Sequence, residues 1–442
     1  MRNKLRNLWK DGDFRELFRG GRSAFLINLA GMAIGYLFIF LVSRIFLEDT
    51  ATIYGQYVLF TLFVKLLAIG CKFGLDTLTM KMTSEFLGKG EDERVHVFFK
   101  KAFRLMAGTT GIVLMFYYLT LVFWEPYIEL STFYLVLIGV TTILFSFRYL
   151  YAQFLRGYKR VAAFSFLTNF SVTALNAVTL LLFWGFYTFV IQKPITVDIL
   201  IGTFILSVFI TVIFSIFLKK RLSAKQLSTN KKNINSSNSF SYKSILKSSY
   251  PFSFTESMIF LSVWTDQLML GFLGTAGDVG IFNVCMKYVM LTSLSLRAVN
   301  VIAAPKFADA YGKKDYNELS KFFKQSLFIV TLTSLPIIIV YFIFPEELLG
   351  VFGEEFIAGK LAFIILLVGA ILNLCSGSIG QLLLMTGKQY IVQNILIIIV
   401  IAKVIANIIL IPEFGINGAA ITSVLGIGIT NSLFIYYSKN MI

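Results

Sequence analysis

Histidine, cysteine and charge are all scarce in this chain. One histidine, His96, and three cysteines, Cys71, Cys285 and Cys375, are scattered over 442 residues with no metal-ligand spacing. That excludes most zinc chemistry and histidine-based acid–base catalysis. The cysteines fall inside apolar stretches, where disulfides do not belong, and read as apolar filler. Charged residues are 14% of the chain, against about 25% in a soluble domain. No nucleophile–base pair and no glycine-rich phosphate loop is present, so nothing points to an enzyme, and no metal or cofactor is expected. Residues 1–22 are too charged for a cleavable signal peptide and carry no A-x-A-like site.

What the chain has is apolar sequence: 57% hydrophobic residues and a mean hydropathy of +0.77. Twelve apolar stretches are legible, at 24–46, 52–80, 105–124, 130–152, 161–187, 196–218, 248–275, 280–303, 325–345, 358–386, 390–411 and 415–437. Most reach the roughly 20 residues that a helix needs to cross a bilayer. Most of the 40 Lys and Arg lie in the N-terminal arm, in every second gap and at the C-terminus. The opposite gaps hold Lys193 and Lys360, with Arg44 at a helix end, and acids such as Glu48, Asp49, Glu346, Glu347, Glu354 and Glu355. The positive-inside rule then puts both termini in the cytoplasm of a multi-pass inner-membrane protein. The net charge of +16 is topogenic and faces anionic membrane lipids, so nucleic acid is not an expected partner.

The pattern predicts an all-α membrane protein with twelve transmembrane helices in two six-helix bundles. Residues 1–22 form a cytoplasmic N-terminal arm, with apolar residues interleaved among seven basic ones as in an amphipathic surface segment. Residues 23–218 form the first bundle, the Ser-, Asn- and Lys-rich 219–247 a cytoplasmic linker, and 248–442 the second bundle. The bundles echo each other in sequence. Gly88/Gly312, Lys89/Lys313, Phe98/Phe322, Phe99/Phe323 and Lys100/Lys324 all lie 224 residues apart. Tyr54–Tyr57 lies opposite Val279–Asn283, and Gly157 pairs with Gly387. Parallel repeats of this kind are a transporter architecture, with the substrate site near the midplane.

Charges inside spans are costly and mark candidate sites. They are Lys65, Lys72 and Asp76 in the second span, Arg148 in the fourth, Glu256 and Asp266 in the seventh, Lys287 and Arg297 in the eighth, and Lys403 in the eleventh. Lys65, Ile69, Lys72 and Asp76, spaced i, i+4, i+7 and i+11, share one face of a helix, and Lys72 and Asp76 at i, i+4 can pair. Six cations against three acids suit an anionic substrate. Lys65, Lys287 and Lys403 are the deepest cations. Arg148 and Arg297 lie near span ends, where a long side chain snorkels to headgroups. Asp76, Glu256 and Asp266 either balance the cations or carry a coupling ion; a static pair with Lys287 or Arg297 is the structural alternative for Glu256 and Asp266. Tyr36, Tyr57, Tyr149, Tyr151 and Trp264 are candidate stacking surfaces for sugar rings, or members of an interfacial belt.

Seven segments, in order, carry a family resemblance: LVSRIFLEDTATIYGQY (41–57), IGCKFGLDTLTMKMTSE (69–85), WTDQLMLGFLGTAGDVGIFNVCMKY (264–288), NVIAAPKFADAYGKKD (300–315), FGEEFIAGK (352–360), LLLMTGKQ (382–389) and LIPEFGINGAAITS (410–423). The chain resembles the polysaccharide transporter, or Wzx-type oligosaccharide flippase, family of the MATE/MOP superfamily. The resemblance implies a V-shaped pair of six-helix bundles working by alternating access. It implies export of an undecaprenyl-pyrophosphate-linked oligosaccharide for O-antigen, capsule or related polysaccharide synthesis, with a polysaccharide polymerase and a chain-length regulator as partners. Basic residues line the cavity in that family, and Lys65, Lys287 and Lys403 match that role; Lys72 stands where a small or apolar residue is the family norm. A cation or drug exporter of the same fold is the first alternative, but it requires unpaired deep acids. The related peptidoglycan-precursor flippase has fourteen spans. A membrane glycan polymerase or ligase would need long outer loops, and here they are short.

The charge split predicts that Ser236→Cys, in a chain stripped of its native cysteines, resists a membrane-impermeant maleimide in intact cells and reacts after permeabilisation. Reaction in intact cells would reverse the topology.

Overall fold

The computed structural model describes the backbone of residues 12–124, 131–227 and 241–439. The helices are α1 (Gly12–Ile45), α2 (Thr50–Lys72), α3 (Leu75–Gly88), α4 (Asp92–Trp124), α5 (Thr132–Gly157), α6 (Val161–Ile191), α7 (Val197–Leu227), α8 (Tyr242–Leu273), α9 (Ala276–Thr292), α10 (Leu294–Gly312), α11 (Tyr316–Ile343), α12 (Pro345–Gly350), α13 (Lys360–Ser376), α14 (Ile379–Met385) and α15 (Gln389–Ser438). A short 3₁₀ turn, Glu354–Gly359, precedes α13. Among the described residues, nine helices are long and apolar enough to cross a membrane, and the bent pair α9–α10 makes a tenth. The twelve apolar stretches are all helical: α8 is the polar-bearing seventh, and α15 holds the last two.

Three stretches that read as continuous are broken. The second breaks between α2 and α3 at Phe73 and Gly74, whose φ angles are 45° and 69°. The eighth bends by 43° between α9 and α10. The tenth breaks after α13 at Gly377, with φ 54°. Helical periodicity persists through such breaks, so hydropathy does not register them.

The last helix shows the reverse. Fifty residues would make a straight rod of about 75 Å, well over twice the bilayer core. Gly415 takes φ 53° and ψ −130°, which only glycine adopts without strain, and the chain doubles back there. A side chain on Gly418 would run into the Leu410 carbonyl and sit 3.1 Å from the Ile411 nitrogen. Further along the doubled pair, Gly426 lies against the Lys403 side chain, its Cβ position 3.0 Å from Cδ.

The chain forms two compact units. The first takes residues 12–45, 60–124, 131–227 and 241–256; the second takes 46–59 and 257–439. These bounds differ from the expected bundles in two places. The start of α8 belongs to the first unit because Ile245 is buried in its core beside Phe98, Phe99 and Phe154. The first part of α2, up to Leu59, belongs to the second because it bonds to α9 and to the 3₁₀ turn. The expected linker is also shorter: α7 runs to Leu227 and α8 begins at Tyr242, while residues 1–11 of the arm and 228–240 of the linker lie outside the described residues.

Within each unit the broken helix leads into the same local structure. α3 ends at Gly88 and α10 at Gly312. Glu85 pairs with Lys89 at 2.6 Å, and Asp309 pairs with Lys313 at 2.6 Å. The turns pass through Gly90 at φ 71° and Lys314 at φ 58°. Val95 and Phe99 are core residues of the first unit, and Leu319 and Phe323 of the second. Every one of these pairs keeps the 224-residue offset. The Gly157/Gly387 echo does not hold structurally: the positive-φ residue after α5 is Lys159 (59°), which matches Gly387 (79°) after α14.

Gly418→Leu should prevent the α15 turn from closing, lowering the melting temperature by several degrees in detergent and reducing the folded yield. Gly35→Ala, on α1 with nothing within 4 Å of the added carbon, should leave both unchanged. Equal behaviour of the two variants would remove the turn from the account.

Candidate functional site

The first unit concentrates its buried charge at the α2–α3 break. Lys72 is the last residue of α2 and Asp76 lies in the first turn of α3. A cation at a helix C-terminus and an anion at a helix N-terminus both complement the helix dipoles. Their side chains meet at 3.3 Å, and both are almost fully buried. Lys72 also donates to Glu256 on α8, which is 35% exposed. One ammonium therefore serves two carboxylates on two helices. The break corrects the expectation that Lys65, Ile69, Lys72 and Asp76 share one continuous helix face, but the Lys72–Asp76 pair expected at i, i+4 does form, across the turn at Phe73–Gly74.

Tyr149 and Arg148 complete this cluster from α5. The Tyr149 ring lies 4.6 Å from the Lys72 ammonium and 4.9 Å from the Arg148 guanidinium. Arg148 donates to the Leu167 carbonyl at 2.8 Å and stands over Phe145 at 4.4 Å. It is 1% exposed, so it does not snorkel to headgroups. Lys65, half-buried on α2, is within the electrostatic reach of Arg148. Three cations and two carboxylates thus sit in one membrane-embedded unit. Tyr149, among the candidate sugar-stacking rings, instead presents its face to two cations, and the Tyr151 ring packs tilted against Phe99, with centroids 5.6 Å apart.

In the second unit, Asp266 on α8 is bonded on every side. It pairs with Lys403 at 2.7 Å, accepts from Asn407 Nδ2 at 2.8 Å, and accepts from the Ser423 hydroxyl. Lys403 also donates to the Ser262 carbonyl at 2.9 Å. Lys403 and Asn407 come from the first arm of α15 and Ser423 from the second. The expected partners are therefore corrected: Asp266 takes Lys403 and Glu256 takes Lys72, not Lys287 or Arg297. Arg297 is exposed on α10.

Lys287 on α9 belongs to a different set. It donates to the Tyr54 hydroxyl at 2.9 Å, and Tyr54 donates to Asn283 Oδ1 at 2.8 Å. Asn283 donates to Gln267 Oε1 at 3.2 Å. Sequence reading did not single out Tyr54, Gln267 or Ser423 as site residues. Asn407 was legible in part, since it follows Lys403 by four residues and shares its face. No spacing signal marks Tyr54, because its partners lie more than 200 residues away. Among the described residues, no cluster of His, Cys, Asp and Glu fits a metal ion.

The chain matches the family described as "Polysaccharide biosynthesis protein" over residues 17–311 and the MatE family over 251–424. It is 23% identical to the probable low-salt glycan biosynthesis flippase Agl15 of Haloferax volcanii, over 97% of this chain and 84% of that one. It is 23% identical to the capsular polysaccharide biosynthesis protein CapF of Staphylococcus aureus, over 62% of this chain and 67% of that one. Among solved structures, an inward-facing multidrug resistance MATE family transporter of the MOP superfamily superposes with a TM-score of 0.68 at 13% identity, covering 96% of this chain and 93% of that one. The lipid II flippase MurJ superposes with a TM-score of 0.66 at 14% identity, covering 96% and 87%. The fold is that of the MATE/MOP transporters, and with a match spanning well over half its length the chain belongs to the polysaccharide biosynthesis protein family.

Proposed function

We propose that this protein flips a lipid-linked oligosaccharide across the membrane by alternating access, recognising the carrier through its phosphate charge. The observation that carries this reading is the charge cluster of the first unit, three cations and two acids, in which Lys72, Arg148 and Asp76 are buried and Lys65 and Glu256 half-buried. A cation in hydrocarbon costs several kcal/mol, a cost that an incoming anion offsets. A polyprenyl pyrophosphate supplies that anion, and undecaprenyl pyrophosphate is the carrier we assign. The relatives' roles in glycan flipping and capsule synthesis support the oligosaccharide cargo. In this reading both termini and the 219–247 linker face the cytoplasm of the inner membrane. A polysaccharide polymerase, with its chain-length regulator, takes up the delivered unit.

The exporter of organic cations draws no support from the charged groups. Such a cargo needs a deep carboxylate that is free to bind it. Asp266 is neutralised by Lys403, and Asp76 and Glu256 share Lys72.

The decisive assay is flipping of an undecaprenyl-pyrophosphate-linked oligosaccharide by the purified protein in proteoliposomes. Lys65→Ala should reduce the rate at least tenfold with the melting temperature unchanged, and Lys65→Arg should retain part of it. Normal flipping by Lys65→Ala would remove this cation from the site, and no flipping by the unaltered protein would defeat the function. Lys403→Ala should behave differently. It leaves the Asp266 carboxylate buried and unpaired, a loss of about 3–5 kcal/mol of stability. Its primary effect should be a lower melting temperature, with Lys403→Met combined with Asp266→Leu recovering it. A stable Lys403→Ala that fails to flip would move Lys403 from the fold to the substrate.

A further inference from the structure

We propose that the first turns of α11 bind an acidic phospholipid of the surrounding bilayer, with Lys321 and Lys324 meeting its phosphate and Phe328 and Ile329 its acyl chains. This goes beyond the flippase reading and does not rest on it, because the ligand is a resident lipid and not the cargo.

One side of α11 changes character along its length. An open hollow runs along it: Asn317, Ser320, Lys321, Lys324 and Gln325 line the polar end, and Phe328 and Ile329 the apolar end. These positions recur at three and four residues, so they share one side of the helix. The same side stays apolar and exposed through Leu332, Leu335 and Ile339. Residues 328–343 span about 24 Å as a helix, most of the roughly 30 Å hydrocarbon core. With Phe328 at the edge of that core, Lys324 and Lys321 stand about 6 and 10 Å further out, in the layer of the lipid headgroups.

Both lysines are exposed. Among the described residues neither has an ion pair, whereas Lys313, just after α10, is paired with Asp309 at 2.6 Å. Asp315 accepts from the Glu318 N–H at 2.9 Å and caps the helix, so a ligand on this face is met by side chains. Two ammoniums one turn apart suit a phosphate of net negative charge. A zwitterionic lipid brings a cation of its own to the same place. Asn317 and Gln325 add amide donors and acceptors for the headgroup hydroxyls.

The internal repeat shows how the matching face is covered in the first unit. Lys324 and Gln325 answer Lys100 and Lys101 of α4 at the 224-residue offset. There the start of α8 covers the helix: the Lys101 ammonium stands 5.4 Å from the Tyr242 ring, and Ile245 is buried beside Phe98 and Phe99. In the second unit Phe322, the counterpart of Phe98, instead meets the Lys306 ammonium at 4.9 Å, which brings a third cation to the flank of the same face. Lys321, Lys324, Gln325 and Phe328 are all exposed beside it. A helix face that protein covers in one half is thus open to the bilayer in the other, and it carries the charge that an acidic headgroup complements.

The test reads the face locally. The four tryptophans of the full-length protein are replaced by phenylalanine, and Phe328→Trp supplies the only reporter. In phosphatidylcholine bilayers, its quenching by dibrominated phosphatidylglycerol is compared with that by dibrominated phosphatidylcholine of the same chains. Phosphatidylglycerol should be preferred, with about a fivefold contribution from each lysine. Lys321→Ala combined with Lys324→Ala should abolish the preference, and Lys321→Arg combined with Lys324→Arg should keep it. Lys89→Ala combined with Lys243→Ala removes the same charge from exposed lysines of the first unit and should also keep it. Equal quenching by the two lipids overturns the proposal. So does a preference that survives the double alanine variant at 321 and 324, or one that the arginine or the first-unit variant also loses. Unbrominated undecaprenyl pyrophosphate should displace the quencher no better than unbrominated phosphatidylglycerol; stronger displacement assigns the face to the cargo and overturns the resident lipid. Displacement by inorganic phosphate overturns it too, as the mark of a general anion site. Flipping in proteoliposomes is read separately, so each of these outcomes leaves the flippase reading where it stands.

Discussion

An ionised group in a bilayer must be bonded on every side or leave the fold unstable, and the Asp266 carboxylate shows what that demands of a structure. Moving an ion from water into a low-dielectric interior costs several kcal/mol even after relaxation, and attraction to a counter-charge repays this only with good geometry. Asp266 meets the condition with an ammonium, an amide and a hydroxyl. Lys403, Asn407 and Ser423 reach it only because α15 turns back at Gly415, so that residues 16 and 20 positions apart along the chain arrive at one carboxylate. The turn and the carboxylate depend on each other. The doubled helix creates the donor set, and the donor set ties both arms of α15 to α8.

The α2–α3 break serves the same rule in the first unit. A continuous helix has no free ends in the membrane interior. Breaking it at Phe73–Gly74 exposes a C-terminus and an N-terminus, and Lys72 and Asp76 stand at those two ends with the signs that the helix dipoles favour. Irregular backbone at membrane depth is tolerated where it is buried in protein. The core below each break is matched, with Val95 and Phe99 in one unit answered by Leu319 and Phe323 in the other.

The buried cations fall into distinct chemical settings. Lys403 is neutralised and holds helices together. Lys72 is shared between an enclosed carboxylate and a partly exposed one, so its pairing has one partner within reach of solvent. Arg148 is held by a carbonyl and two aromatic faces, and Lys287 donates to the Tyr54 phenol.

Much of this was legible in the sequence. Twelve apolar stretches, an alternating charge pattern and a 224-residue echo are local or periodic properties, and they led to an all-helical, duplicated membrane transporter. The charges within the apolar stretches were also legible, because a Lys or Asp in an apolar run stands out by itself. The Lys72–Asp76 pair was legible from its i, i+4 spacing, and the pairings between distant residues were not. Asp266 and Lys403 are separated by 137 residues, Lys72 and Glu256 by 184, and Tyr54 and Lys287 by 233. Nothing in one-dimensional spacing couples such positions. The helix breaks were hidden for a related reason: an apolar run stays apolar through a turn, and only the backbone angles at Phe73, Gly74, Gly377 and Gly415 reveal it. The sequence by itself determined which segments enter the membrane and which charges go with them, since transfer from water to hydrocarbon is a property of each segment alone. Tertiary structure decided which of those charges pair with which, since that depends on the few ångströms between side chains that the chain brings together from far apart.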